Sequence, residues 1–119
     1  MADYLLIDIS NSFTKLAFAT RREISKPRRI ETSKLSVAAL KRIVRNRKID
    51  CVVVCSVVPK KNAVVRSIAK GSKLLWLTAK INLGVGVDYP NPKAIGADRR
   101  ANAAAVAALY GCPASVVDF

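Results

Sequence analysis

The sequence predicts an α/β protein with a mixed sheet, in which an antiparallel meander of three strands is followed by parallel strands and helices flank the sheet. Up to residue 31, β-prone segments follow one another with turn residues between them. After residue 31, helix-type and strand-type patterns alternate, and consecutive strand–helix–strand connections imply parallel pairing. The 119 residues, 51% of them hydrophobic, are enough to form a core against such a sheet.

The meander is predicted from the first third of the chain. Residues 4–9 are apolar and β-prone up to Asp8, and the serines and asparagine at 10–12 supply turn chemistry. Residues 15–19 form the second strand, and a third is expected between Arg22 and Glu31.

A helix is predicted after the meander. Thr32 or Ser33 can cap it, because a hydroxyl at this position accepts from the first free N–H groups of a helix. Val37, Leu40 and Val44 then recur at spacings of three and four, which is typical of one buried helix face.

The parallel strands are predicted from two apolar segments. Residues 51–58 are a continuous apolar run ended by Pro59, which suits a strand covered on both faces. Residues 62–70 form a short helix closed by Gly71, and residues 74–77 form the next strand.

The last third of the chain begins with a long loop. Residues 80–95 contain two glycines and two prolines, and a loop of this length indicates a function. Residues 96–110 are rich in alanine and predict a helix that ends at Gly111.

A further strand is expected to begin at residues 115–119. Its segment Val116-Val117-Asp118 echoes Leu6-Ile7-Asp8 in the first strand. We therefore expect residues 1–114 to form one half of a two-half protein, and residues 115–119 to be the first strand of a second half that this chain lacks.

Composition excludes several classes of chemistry. The chain has no histidine, which removes Ser-His-Asp and Cys-His catalysis and the common zinc sites that contain histidine. Its three cysteines are an odd number and no secretory leader pattern is present, so we expect a cytoplasmic protein. In a strand, Cys51 and Cys55 would lie about 13 Å apart, too far to chelate one metal, and we interpret them as core thiols.

The net charge of +13 is concentrated in residues 21–48, which hold 11 basic side chains against Glu23 and Glu31. Such a stripe can contact the phosphates of nucleic acid or an acidic protein. The segment has no interleaved aromatic side chains for base stacking and no zinc-finger spacing. We therefore favour a solvated outer face, with a non-enzymatic basic binding module as the alternative.

Residues 8–15 are the first candidate site. An aspartate at a strand end, such as Asp8, can hold hydrated Mg²⁺, while turn amides, Asn11 and Ser12 can donate to phosphate oxygens and Lys15 can neutralise them. A plain hairpin turn remains the alternative, because asparagine and serine are common in turns.

Residues 89–99 are the second candidate site. Asp98 falls in the first turn of the last predicted helix, where the helix dipole favours an ionised carboxylate that can accept a hydroxyl proton. Arg99 can hold an anionic group with its guanidinium. The alternative is an acidic residue that only stabilises the helix terminus.

Together these segments resemble the N-terminal half of type III pantothenate kinases, members of the actin-like ATPase superfamily. Residues 6–12 (Leu-Ile-Asp-Ile-Ser-Asn-Ser) look like the first phosphate motif of that family, and residues 56–59 (Ser-Val-Val-Pro) look like the end of its central strand. Residues 89–102 are similar to its pantothenate segment, and Asp118-Phe119 to the start of its second phosphate motif. The resemblance implies an actin-like, ribonuclease H-like half.

The resemblance also implies roles for individual residues. Asp98 would be the general base, Asp118 would bind an activating monovalent cation, K⁺ or ammonium, and Asp8 would hold Mg²⁺. The residues implied to contact ATP are Asp8, Ile9, Ser10, Asn11, Ser12, Phe13, Thr14 and Lys15. Those implied to line the pantothenate site are Tyr89, Gly96, Ala97, Asp98 and Arg99. Ser10 stands where the family normally has glycine, which strains the turn if this position needs a positive φ.

The activity that the resemblance implies is phosphorylation of pantothenate by ATP to 4'-phosphopantothenate, the first step of coenzyme A biosynthesis. It also implies a homodimer in the cytoplasm, and neither a membrane nor nucleic acid is expected as a partner. Because the second half is expected to be missing, we expect little or no turnover from these 119 residues alone. The alternative is a basic regulatory module that contacts nucleic acid or an acidic protein.

Overall fold

A computed structural model describes residues 3–78 and 81–118 of the chain. It divides into two compact units, Met1–Trp76 and Leu77–Phe119. The regular elements are β1 (Tyr4–Ile9), β2 (Phe13–Ala19), β3 (Arg28–Glu31), α1 (Val37–Ile43), β4 (Cys51–Ser56), α2 (Asn62–Ile68), β5 (Lys73–Trp76) and α3 (Ala97–Leu109), with 3₁₀ turns at Thr32–Lys34, Pro59–Lys61 and Pro92–Ala94.

The first unit contains a five-stranded sheet with the strand order β3-β2-β1-β4-β5. The pairs β1–β2 and β2–β3 are antiparallel, whereas β1–β4 and β4–β5 are parallel. Each parallel connection contains a helix, as is usual for the long crossover that parallel strands need. The predicted mixed sheet is therefore confirmed.

The core lies on one face of this sheet. Leu5, Ile7 and Ile9 alternate along β1 with less buried residues, and all three are buried in a cluster that includes Leu40 of α1 and Val65 of α2. Both short helices therefore cover this face, which we call the helix-covered face. Asp8 and its strand neighbours of the same parity lie on the opposite face, because successive residues of a strand alternate in direction.

The start of α1 differs from the prediction. Its N-cap is Ser36, whose hydroxyl accepts from the backbone N–H of Ala39 at 3.1 Å. Thr32 instead begins a 3₁₀ turn and is buried, and Ser33 lies within that turn. The expected cap at Thr32 or Ser33 is thus wrong, because the hydroxyl of Thr32 has a tertiary partner, described below.

Strand β4 ends two residues earlier than predicted. The hydroxyl of Ser56 accepts from the N–H of Val58 at 3.2 Å and donates to the side-chain oxygen of Asn62 at 2.8 Å, which turns the chain toward α2. Cys55 is buried but lies opposite Asp8 in the β1–β4 register, outside the core cluster, and Cys51 is half-buried. In residues 3–78 and 81–118, no group of three or more His, Cys, Asp or Glu side chains could hold a metal ion.

The second unit is dominated by α3, which ends as predicted at a glycine with positive φ, Gly111 at 79°. None of the thirteen residues of α3 is fully buried. Residues 115–118, expected to begin a strand, form none within the described chain, because a lone extended segment has no partner for its backbone groups. Phe119 lies outside the described residues. None of the helices that the structure describes has the length and apolar character of a membrane span.

Candidate phosphate and substrate sites

The turn between β1 and β2 is the first candidate site in the structure. The backbone N–H of Ser10 donates to the carbonyl of Phe13 at 3.1 Å and closes the hairpin. Asn11 and Ser12 are exposed at its tip, whereas Ile9 is completely buried before it. Among the described residues other than glycine, only Asn46 has a positive φ. Ser10 therefore sits in the turn without the strain that a positive φ would impose.

The underside of this turn is held by two buried threonines. The hydroxyl of Thr32 donates to the carbonyl of Ser10 at 2.6 Å, and the N–H of Thr32 donates to the carbonyl of Ser12 at 2.9 Å. The hydroxyls of Thr14 and Thr32 are 3.0 Å apart, and these side chains are 0% and 3% exposed. The hydroxyl of Thr14 is thus used inside the protein, beneath the turn.

Charged side chains lie in a row across the opposite face of the sheet. Asp8 of β1 is directly opposite Lys15 of β2, and Lys15 is directly opposite Arg29 of β3. The guanidinium of Arg29 lies over the ring of Phe13, 3.6 Å from its centroid, in a cation–π contact. A half-buried carboxylate and two cations therefore lie beside the exposed turn.

This arrangement fits a phosphate with Mg²⁺. Magnesium is usually held by one or two carboxylates together with substrate phosphates, and Asp8 provides one carboxylate at the strand end next to the turn. Exposed amides of a turn and nearby Lys15 suit the phosphate oxygens themselves.

Asp98 is the centre of the second candidate site, in the other unit. It lies in the first turn of α3, and its carboxylate accepts from the N–H of Arg99 at 2.9 Å. The same carboxylate oxygen occupies the space beside Gly96, where an added Cβ would lie only 2.6 Å from it. A side chain at position 96 would therefore displace the Asp98 carboxylate.

A cavity of about 480 Å³ adjoins Asp98 and is also lined by Arg99, Asn102 and Asp118. The side-chain amide of Asn102 donates to the carboxylate of Asp118 at 3.5 Å. Two carboxylates, an amide and a guanidinium thus surround a space large enough for a small polar molecule. The carboxylate of Asp118 supplies oxygen atoms, which are the partners that the expected cation, K⁺ or ammonium, needs.

Arg100 was not predicted as a site residue. Its guanidinium donates to the carbonyl of Ile95 at 3.5 Å and to the carbonyl of Pro92, and it thereby ties the segment before α3 to the first turn of the helix. Nothing in the sequence pattern distinguishes it from Arg99, because only the 3₁₀ turn at Pro92–Ala94 brings those carbonyls within reach.

The structure groups the expected residues in two sets. Asp8, Lys15 and the exposed turn lie together in the first unit, and Asp98, Arg99 and Asp118 share a cavity in the second. Ala97 is half-buried in α3, and Tyr89 is 55% exposed in the loop before it and does not line that cavity.

The family model of the type III pantothenate kinases matches residues 4–119. A type III pantothenate kinase of Methylacidiphilum infernorum is 39% identical, and the match covers 97% of this chain and 42% of that protein. One of Akkermansia muciniphila is 41% identical, with coverage of 98% and 48%. The chain thus spans about half the length of these relatives.

Among solved structures, a Bacteroides thetaiotaomicron protein described as having an actin-like ATPase fold and unknown function aligns with a TM-score of 0.49. It is 8% identical, and the alignment covers 63% of this chain and 32% of that one.

The mixed sheet, with its meander and parallel crossovers, first defines an α/β protein with a candidate phosphate-binding hairpin. The family match over residues 4–119 then narrows this class of protein to one family. The chain belongs to the type III pantothenate kinase family.

Proposed function

We propose that this chain supplies the N-terminal half of a cytoplasmic kinase that transfers the γ-phosphate of ATP to pantothenate. The product is 4'-phosphopantothenate, and the reaction is the first step of coenzyme A biosynthesis. The observation that carries the proposal is the family match over residues 4–119. In the proposed whole protein, residues 1–114 form the first actin-like half and residues 115–119 begin the second.

The β1–β2 turn is the proposed site for the ATP phosphates. Its exposed amides donate to phosphate oxygens, Lys15 neutralises their charge, and Asp8 holds Mg²⁺. Magnesium bound there screens charge on the phosphates during transfer. The side chains of Ile9 and Thr14 are buried, and Thr14 supports the turn through its hydroxyl contact with Thr32.

Asp98 is the proposed general base. Phosphoryl transfer asks the protein mainly to position an alcohol in line with the γ-phosphate, and one carboxylate can accept the alcohol proton. Arg99 is placed beside the same cavity, where its guanidinium can bind the pantothenate carboxylate. Gly96 and Ala97, at the start of α3, are proposed to line the pantothenate site, and Tyr89 is proposed to contact the substrate from the exposed loop.

Two further parts of the proposal concern Asp118 and assembly. Asp118 is proposed to bind an activating K⁺ or ammonium ion, with Asn102 as the neighbour that orients its carboxylate. The protein is proposed to act as a homodimer, as the family resemblance implies.

The geometry of segment 21–48 does not favour the alternative function, a non-enzymatic basic binding module. Two arginines of segment 21–48 lie over aromatic rings of the chain itself, Arg29 over Phe13 and Arg47 over Phe18. Lys34 pairs with Glu31 at 3.2 Å. Such contacts suit a solvated face whose cations lie on the protein's own surface.

The test joins this chain to the remaining part of the Methylacidiphilum infernorum relative and measures ADP release. We expect release only when pantothenate and ATP are both present. A folded joined protein without pantothenate-dependent ADP release contradicts the proposal. The 119-residue chain alone is expected to show little or no turnover, and a rate equal to that of the joined protein would refute the need for a second half.

A further inference from the structure

One residue holds both ends of the β1–β2 turn. The side chain of Thr32 binds the carbonyl of Ser10 and its backbone N–H binds the carbonyl of Ser12, across sequence separations of 22 and 20 residues. Because Thr32 has a single hydroxyl proton and donates it to Ser10, the 3.0 Å contact between the two threonine hydroxyls has Thr14 as its donor. The buried bonds thus run in one direction, from Thr14 to Thr32 to Ser10.

The direction of these carbonyls fixes the direction of the amides that follow them. In a trans peptide unit the C=O and the N–H point to opposite sides. When the carbonyls of Ser10 and Ser12 point toward Thr32, the N–H groups of Asn11 and Phe13 point away from it. Two N–H donors are therefore presented on the side of the turn away from the buried threonines.

Burial makes the hydroxyl bond to Ser10 hard to replace. Thr32 is 3% exposed, so water has little access to the carbonyl of Ser10 from below. A carbonyl that loses a buried partner must either remain unsatisfied or turn toward solvent, and that rotation would take the N–H of Asn11 with it.

We propose that Thr32 is a positioning residue that holds the β1–β2 turn with two N–H groups directed at the nucleotide phosphates, and that Thr14 supports it. The phosphate part of this inference rests on the proposed function above. Thr32 itself does not touch the phosphates, because its hydroxyl lies below the turn.

The experiment uses the joined two-half protein and its variants Thr32→Val, Thr32→Ser and Thr14→Val. Amide hydrogen exchange by NMR is followed at Ser10 and Thr32, whose N–H groups are bonded within the turn. The N–H of Val57, which donates to the carbonyl of Ile9 at 3.0 Å on the other side of β1, is the internal reference. The affinity for Mg·ATP is measured on the same samples.

In Thr32→Val, exchange at the two turn amides is expected to become about tenfold faster relative to Val57, and the affinity for Mg·ATP to fall about tenfold. Thr32→Ser keeps the hydroxyl and restores both. Thr14→Val leaves the bond to Ser10 in place and has a smaller effect on both. Val65→Ala, which opens the core under α2 without touching the turn, lowers stability but changes neither the exchange ratio nor the affinity.

Unchanged exchange at the turn in Thr32→Val overturns the inference, and so does faster exchange with an undiminished affinity for Mg·ATP. Failure of the proposed function gives a different result. If Mg·ATP moves no amide signal of residues 11–13 in the joined wild-type protein, the phosphate assignment falls. The rate of exchange at the turn amides relative to Val57 then still decides whether Thr32 holds the turn.

Discussion

The two candidate sites of this chain are held in place in different ways. The β1–β2 turn is fixed by bonds from Thr32, 20 and 22 residues away in sequence, and lies on a sheet with a buried core. The Asp98 segment is organised by bonds to near neighbours, such as those from Arg100 to Pro92 and Ile95, on a helix without a fully buried residue. The proposed phosphate site therefore depends on the whole sheet, whereas the proposed base depends on its own local segment.

The largest effect is expected from the locally organised site. Asp98→Asn in the joined two-half protein should lower kcat by about 10² to 10⁴-fold, because the amide cannot accept the alcohol proton. ADP release in the presence of pantothenate measures it. Asp88→Asn removes an exposed carboxylate from the same unit and should leave kcat unchanged. Retained activity in Asp98→Asn would remove this residue as the base.

The β1–β2 turn should lose its structure when the core of the sheet is destabilised. Leu40→Ala removes a side chain that is 0% exposed, and it should lower the free energy of unfolding by about 2–5 kcal/mol. Leu109→Ala, on a residue of α3 that is 75% exposed, should change it by less than about 0.5 kcal/mol. Urea denaturation followed by circular dichroism compares the two. Equal losses would show that α3 is buried as deeply as α1.

A smaller effect is expected when the local segment is disturbed without loss of the carboxylate. Gly96→Ala places a Cβ 2.6 Å from the Asp98 oxygen, so the carboxylate must shift, and kcat should fall about tenfold, as expected for a displaced catalytic group. Gly86→Ala meets no atom within 4 Å and is the matched control. If the two variants have the same kcat in the joined protein, the position of the Asp98 carboxylate relative to Gly96 is unimportant.

The smallest effect is expected at the edge of the proposed phosphate site. Arg29→Ala removes the cation that lies over Phe13, and it should weaken Mg·ATP binding by about two- to fivefold, as for a partly exposed charge. Arg28→Ala makes the same change in net charge, on the residue that lies opposite Leu16 on the other face of β3. Titrations at low and high salt measure both. If both variants lose the same affinity for Mg·ATP, Arg29 contributes to binding only through its net charge.

Much of the sheet was predictable because its signals are local. The apolar run before Asp8, with turn residues after it, indicates β1 without knowledge of the rest of the chain. The continuous apolar run predicted as a strand over residues 51–58 likewise indicates β4, which ends at Ser56. Asp98 in the first turn of α3 followed in the same way from the alanine-rich pattern.

The supports of the two sites were not predictable in this way. Thr32 and Ser36 are both good caps by residue type, and the choice between them depends on the carbonyl of Ser10, which only the fold brings to Thr32. Alternation along β2 places Thr14 on the helix-covered face but does not identify the partner of its hydroxyl. Arg100 needs the 3₁₀ turn before α3 to find its carbonyl partners. Each missing fact is a tertiary contact of a polar side chain.

The conformation of Ser10 also has a consequence for the unfolded chain. A glycine would add backbone freedom to the unfolded ensemble at this position, and the folded turn does not need that freedom because φ here is not positive. Serine narrows the ensemble that folding must order, which favours the folded chain by about 0.4–1 kcal/mol relative to glycine. The side chain at this position therefore acts on the protein before the hairpin has formed.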